Sequence, residues 1–231
     1  MDNYKNNLKL LTENHVYSKD MEHDACGVGV IASTEGKKSR EIVEYGIEAL
    51  KAVWHRGAVD ADGKTGDGAG IHVEIPKDFF IEKIEVTGHD YDNSEICVGM
   101  IFLPRNDYSS QESCKTIVES ELTKNNFSIF GWRQVPVNPK ILGEKAFQTM
   151  PEIIQVLFKS NDPNLIDKNL ERKIYETRKK IENKAFQLSL NNFYICSISS
   201  KSIIYKGLYL AEAISDFYLD LKDKRFISRY A

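Results

Sequence analysis

The stretch from Glu22 to Ala32, EHDACGVGVIA, divides the chain. The residues up to about His23 are polar, rich in Asn and Lys and weakly patterned, whereas Cys26 to Ala32 is an apolar, β-prone run that begins abruptly. A folded domain is therefore expected to start at Cys26, with residues 1–25 as a leader and residues 26–231 as one domain. Small residues flank the cysteine, Ala25 before and Gly27 after, which gives its thiol room to reach the preceding carbonyl.

Outward from that run the elements follow in order. Ser39 is a candidate N-cap, and after it Val43, Ile47, Leu50 and Trp54 form one helical stripe that ends near His55. A Gly- and Asp-rich loop from Gly57 to Gly70 leads into the alternation Ile71, Val73, Ile75, which Pro76 closes. Further strands are expected at 95–103, 127–137, 152–158 and 193–199, with 202–206 pairing next to the last. Helices are expected over 108–123, about 164–187 and 211–221. Strands that cluster in pairs, instead of alternating singly with helices, predict an α+β fold of antiparallel sheets covered by helices. The sequence shows no internal repeat and no second domain.

The composition narrows the function. A chain of 231 residues with 42% hydrophobic side chains can bury a core, and a net charge of -3, from 31 basic and 34 acidic residues interspersed, offers no basic face for nucleic acid or acidic lipid. The first twenty residues lack a secretory signal pattern, and no run approaches the about 18 apolar residues of a membrane span, so a cytoplasmic protein is expected. The cysteines at 26, 97, 114 and 196 have no CxxC spacing, which suits thiols in a reducing compartment. Gly63-Lys64-Thr65 is not a phosphate-binding loop, because Gly57 lies one residue too far upstream. His72-Val73-Glu74 lacks the downstream thiolates of a zinc deaminase, and the five histidines have no i, i+4 pair, so no metal site is expected.

Three segments carry the chemistry: EHDACGVG at 22–29, HRG at 55–57 and TGDGAGI at 65–71. Singly they are a small buried hydrophobe, a helix C-cap and a turn. Together and in this order they resemble the class II glutamine amidotransferases, the N-terminal-nucleophile enzymes, and within them the glutamate synthase large subunit. The resemblance returns at Tyr205-Lys206-Gly207 and in the closing stretch from Asp223 to Ala231, and the insertion from Ala58 to Lys64 is similar to the synthase branch.

The resemblance implies an αββα four-layer sandwich, incomplete at the C-terminus. It implies that Cys26 is the catalytic nucleophile, that Arg56 and Gly57 bind substrate beside it, and that Asp67, Gly68, Ala69 and Gly70 form a loop that shapes the site. The implied reaction is hydrolysis of L-glutamine to glutamate and ammonia through a cysteinyl thioester, the ammonia passing to 2-oxoglutarate. No cofactor is expected in this region; FMN and an iron–sulfur cluster would sit in other parts of the parent enzyme. The implied partners are the remainder of the large subunit or the small subunit.

The chemistry also stands without the family. If residues 1–25 are removed, Cys26 carries a thiol and an α-amine of pKa about 7.7–8.0, so one residue holds nucleophile and base. A matched base contributes roughly 10² to 10⁴ in rate. Against this, the family's later H-S-R-F-S-T-N segment and N-G pair, which clamp the substrate carboxylate and form the oxyanion hole, have no counterpart here. Since even one oxyanion-hole donor is worth about 10² to 10³ in turnover, the free chain is expected to show little or no glutaminase activity. The alternatives left open are an inactive truncated fragment, one piece of a split subunit that needs a partner chain, and an unprocessed thiol hydrolase using Cys26 with His55.

Overall fold

The computed structural model describes residues 2–14, 27–53 and 58–231. In chain order the elements are α1 (Asp2–Asn14), α2 (Arg40–Ala52), β1 (Ala69–Glu74), α3 (Lys77–Val86), β2 (Cys97–Leu103), α4 (Tyr108–Lys124) and β3 (Phe127–Gln134). They continue with α5 (Glu144–Thr149), β4 (Glu152–Ser160), α6 (Asp167–Gln187), β5 (Tyr194–Ser199), β6 (Ser202–Gly207) and α7 (Ile214–Phe217).

Two antiparallel sheets result, which bears out the α+β expectation. The larger has the order β3-β4-β2-β5, and the smaller pairs β1 with β6. β2 and β4 are buried along almost their whole length, as continuous apolar runs covered on both faces must be. The odd residues of β2 and the even residues of β4 face α4 and α6, where Ile101, Leu103, Ile154, Val156 and Phe158 join Cys114, Leu122, Leu170 and Ile181 in one apolar cluster. Their alternates, Val98, Met100, Ile153 and Leu157, enter a second and larger cluster with β1, β6, α2, α3 and the turns after β6.

Two local features shape this sheet. Asn126 takes a left-handed φ of 67° directly after the C-cap Asn125, which turns the chain from α4 into β3. Gly131, at φ 152°, sits where the β3–β4 register shifts, a place where a side chain would meet Thr87.

Several expectations need correction. Residues 202–206 do not pair with the preceding strand: β6 pairs with β1, in the register Ala69 to Gly207 through Glu74 to Ser202. The helix expected over 211–221 is broken into 3-10 turns at Ala211–Ala213 and Leu219–Lys222 around the single turn of α7, because Tyr218 adopts extended backbone (φ -90°, ψ 100°). Residues 27–31 form no regular strand; an isolated bridge joins Ala32 to Tyr230. The polar opening segment contains the exposed helix α1, and α3 and α5 fill stretches for which no helix was expected. Ser39 does cap α2, its hydroxyl accepting from the Ile42 amide at 3.4 Å. Trp54, His55 and the residues from 15 to 26 lie outside the described residues.

Candidate active site

The run that follows the cysteine is tied to the far end of the sequence. Ile31 and Ala231 exchange backbone hydrogen bonds of 2.9 Å in each direction, the Ser33 amide donates to the Arg229 carbonyl at 2.7 Å, and Ser39 and Ser228 exchange another pair at 3.0 and 3.1 Å. The closing stretch is in turn fastened to β1. The Glu74 amide donates to Ser228 Oγ at 3.0 Å, the Arg229 amide donates to Glu74 Oε2 at 2.6 Å, and the His72 and Tyr230 rings stand 5.7 Å apart edge to face. The side-by-side arrangement is residues 31–33, residues 229–231, β1 and β6, with Gly27 to Val30 exposed at its margin.

The loop expected to shape a site does line a cavity. Asp67, Gly68, Ala69 and Gly70 wall a groove of about 610 Å³ together with His72, Phe102, Ile204, Lys206 and Leu208. Glycine is required at Gly70, directly opposite Lys206 in the β1–β6 ladder, because a Cβ there would stand 2.8 Å from Lys206 Cβ and 3.0 Å from the Tyr205 carbonyl oxygen. Gly68 holds φ 130°, a conformation that L side chains rarely adopt. Among the described residues that line the groove, the cation is Lys206, whose ammonium donates to Tyr194 Oη at 2.6 Å and lies 4.5 Å from that ring's centroid. Nothing in the sequence reading had singled Lys206 out beyond its place in a recognised tripeptide.

Cys26, Arg56 and Gly57 lie outside the described residues. Their chain neighbours are described. The Asp67 amide donates to the Ala58 carbonyl at 3.2 Å, and Val59 bridges Gly66, so the segment leaving Gly57 and the segment entering the groove run side by side. Between them the insertion is a closed loop. The Asp62 carboxylate accepts from the Thr65 hydroxyl at 2.6 Å and from the Thr65 and Lys64 amides at 2.7 and 2.9 Å, and these bonds hold its carboxyl well below the ordinary carboxylate range. Asp60, hydrogen-bonded to Lys145 at 2.8 Å, is also lowered.

The other three cysteines are buried and form no disulfide among the described residues. Burial pushes the Cys114 and Cys196 thiols up to about 11, and Cys97 higher still, so none carries the thiolate that a nucleophile needs. Among the described residues, no group of three or more His, Cys, Asp or Glu is placed to hold a metal ion, and no helix is long and apolar enough to cross a membrane.

The family model described as class II glutamine amidotransferases matches residues 26–231. The chain is 51% identical over 228 residues to the large chain of the NADPH glutamate synthase of Azospirillum brasilense, covering 99% of this chain and 15% of that one. It is 40% identical over 212 residues to ferredoxin-dependent glutamate synthase 1, chloroplastic/mitochondrial, of Arabidopsis thaliana, covering 91% and 13%. With the ferredoxin-dependent glutamate synthase of Pyropia yezoensis it shares 37% identity over 230 residues, covering 96% and 14%. The chain thus spans about a seventh of the length of these relatives.

Proposed function

The chain belongs to the class II glutamine amidotransferases, and from that premise we propose that it is the glutamine-hydrolysing domain of a glutamate synthase, with Cys26 as nucleophile. In this reading residues 1–25 are a leader that is removed, and the freed α-amine of Cys26 takes the proton of its own thiol. The thiolate sulfur attacks the γ-carboxamide carbon of L-glutamine. The amine then returns the proton to the departing nitrogen, ammonia leaves, and water hydrolyses the γ-glutamyl thioester to glutamate.

In the same reading Arg56 and Gly57 have the role of binding the substrate, and Asp67, Gly68, Ala69 and Gly70 form the wall along which it lies. Transfer of the ammonia to 2-oxoglutarate, and the FMN and iron–sulfur cluster that serve it, belong to portions of the longer protein outside residues 26–231. The remainder of that large subunit, or a small subunit, is the partner. The compartment in this reading is the cytoplasm, in keeping with the unpaired thiols at Cys97, Cys114 and Cys196.

The observation that carries this reading is the groove walled by Asp67–Gly70, the motif loop itself, reached from the chain that leaves Gly57 through the hydrogen bond between the Asp67 amide and the Ala58 carbonyl. The test is intact-mass analysis of the purified protein after incubation with 6-diazo-5-oxonorleucine, an electrophilic glutamine analogue. The expected product begins at Cys26 and carries one adduct on that residue, since a single alkylation does not require the turnover that an oxyanion hole supports. A full-length, unlabelled chain would overturn the proposal.

A further inference from the structure

The loop from Ala58 to Gly66 joins the two segments to which the glutamine site is assigned. Its geometry is more constrained than a connection requires. A simple turn needs only local bonds, and those are present: the Asp60 amide donates to the Thr65 carbonyl and the Gly63 amide to the Asp60 carbonyl, both at 2.9 Å. Thr65 does more. It is 5% exposed in a loop whose residues from Ala61 to Lys64 face solvent, and its hydroxyl both donates to Asp62 Oδ2 at 2.6 Å and accepts from the Ala146 amide of α5 at 3.3 Å.

The seat is shaped for this one arrangement. A Cβ on Gly143 would stand 2.2 Å from Asp62 Oδ2 and 2.3 Å from Thr65 Oγ1, so the loop rests directly on the backbone at the start of α5. A Cβ on Gly66 would stand 2.6 Å from the Tyr209 carbonyl oxygen, so the loop's descending arm rests on the chain that follows β6. α5 and that same chain also meet at the back of the groove. Ala146, Thr149 and Met150 line an apolar cavity of about 190 Å³ with Phe102, Gly207 and Leu208, of which the last three also line the groove.

We infer that Thr65, acting through Asp62 and the Ala146 amide, is a positioning residue for the glutamine site. By locking the loop onto α5, it fixes how the segment that begins at Ala58 lies against the segment that begins at Asp67. This rests on the glutaminase reading above. It assigns the loop from Ala58 to Gly66 a purpose that a solvent-exposed connection would not have. Shifts of about 1 Å in substrate-positioning groups cost about 10²-fold, so the lock is a sensitive point although Thr65 touches no reacting atom.

The test compares two labelling rates of Cys26 in the same protein, followed by intact mass. One reagent is 6-diazo-5-oxonorleucine, which must be recognised as glutamine; the other is iodoacetamide, which needs only a free thiol. In Thr65→Val, which keeps the shape and loses both hydrogen bonds, the first rate falls about 10- to 100-fold relative to the second. Thr65→Ser, which restores the hydroxyl, returns the ratio to that of the wild type. If Thr65→Val does not fold, as judged by its circular-dichroism melt, Asp62→Asn carries the same expectation, since it keeps the turn and removes the charge from the Thr65 bond. A wild-type ratio in the folded variant overturns the inference, and so does a parallel fall in both rates. A wild-type protein that takes no diazo label at Cys26 overturns the glutaminase reading instead.

Discussion

The two faces of the four-stranded sheet are held by different physics. Toward α4 and α6 the sheet presents Ile101, Leu103, Ile154, Val156 and Phe158, all apolar and all buried, and α4 and α6 answer with Cys114, Val118, Leu122, Leu170, Ile174 and Ile181. Toward β1 and β6 the same strands present Met100 and Leu157 but also Gln155, 0% exposed, at the centre of a polar network. Arg133 donates to Gln155 Oε1 at 2.7 Å and to both oxygens of Asp220, and the Tyr205 hydroxyl donates to Asp220 Oδ2 at 3.1 Å. Burial, then the Asp220 charge, push the Tyr205 phenol well above its ordinary range. Apolar area is tolerant of direction, whereas a bidentate ion pair is not. The first face therefore supplies stability, and the second registers β6 and the turns after it, which carry Lys206, Gly207 and Leu208 to the groove.

Truncating the apolar face should have the largest effect. Phe158→Ala removes a fully buried ring that meets Phe127 edge to face at 5.3 Å, and is expected to cost about 3–5 kcal/mol of unfolding free energy in a denaturant titration. The polar face should follow. Asp220→Ala leaves the Arg133 guanidinium without its carboxylate, a loss of about 3 kcal/mol, at the lower end for a buried pair because the Arg133 side chain keeps 12% of its exposure to water. The two differ in a second observable. Asp220→Ala should also slow labelling of Cys26 by 6-diazo-5-oxonorleucine, because Asp220 anchors Tyr205 one residue before Lys206; Phe158→Ala, where it still folds, should leave that rate unchanged. Equal effects on labelling would break the division of labour between the faces.

The same division explains what the sequence made legible. The strands at 97–103, 152–160 and 194–199 were readable because burial on both faces demands continuous apolar runs, as CVGMIFL and EIIQVLF are. The partner of β6 was not, because only four residues separate Ile198 from Ile203 and nearness in sequence suggests a hairpin. The chain bends there instead, held by Glu171, which accepts from the Ser199 hydroxyl, the Ser200 amide and the Ser200 hydroxyl at 2.7 to 2.9 Å. β6 is thereby sent to β1, whose Ile71 and Val73 match Tyr205 and Ile203 across the ladder. The break in 211–221 was hidden for a similar reason. Tyr218 leaves helical backbone so that its hydroxyl can donate to the Lys206 carbonyl at 2.8 Å and its ring can pack on Tyr205 and Phe217, partners that no local periodicity reveals.

The site divides in the same way. Asp67 to Gly70 stood out as a motif and do wall a groove, whereas Thr65, the first letter of the same TGDGAGI segment, was assigned no role of its own. Its value depends on Ala146, 81 residues away. The smallest effect tests the motif itself. Gly70 and Lys206 face each other across the β1–β6 ladder with no room for a methyl group, and the atoms a Cβ would meet, Lys206 Cβ and the Tyr205 carbonyl oxygen, belong to or adjoin the backbone and do not swing away. Gly70→Ala should therefore part the strands slightly, at about 1–3 kcal/mol for an overpacked site, or roughly 2–4 °C of melting temperature for each kcal/mol. An unchanged melt would mean that the two-stranded sheet yields to the methyl group, and that the close approach of β1 and β6 is a consequence of glycine at that position, not a demand for it.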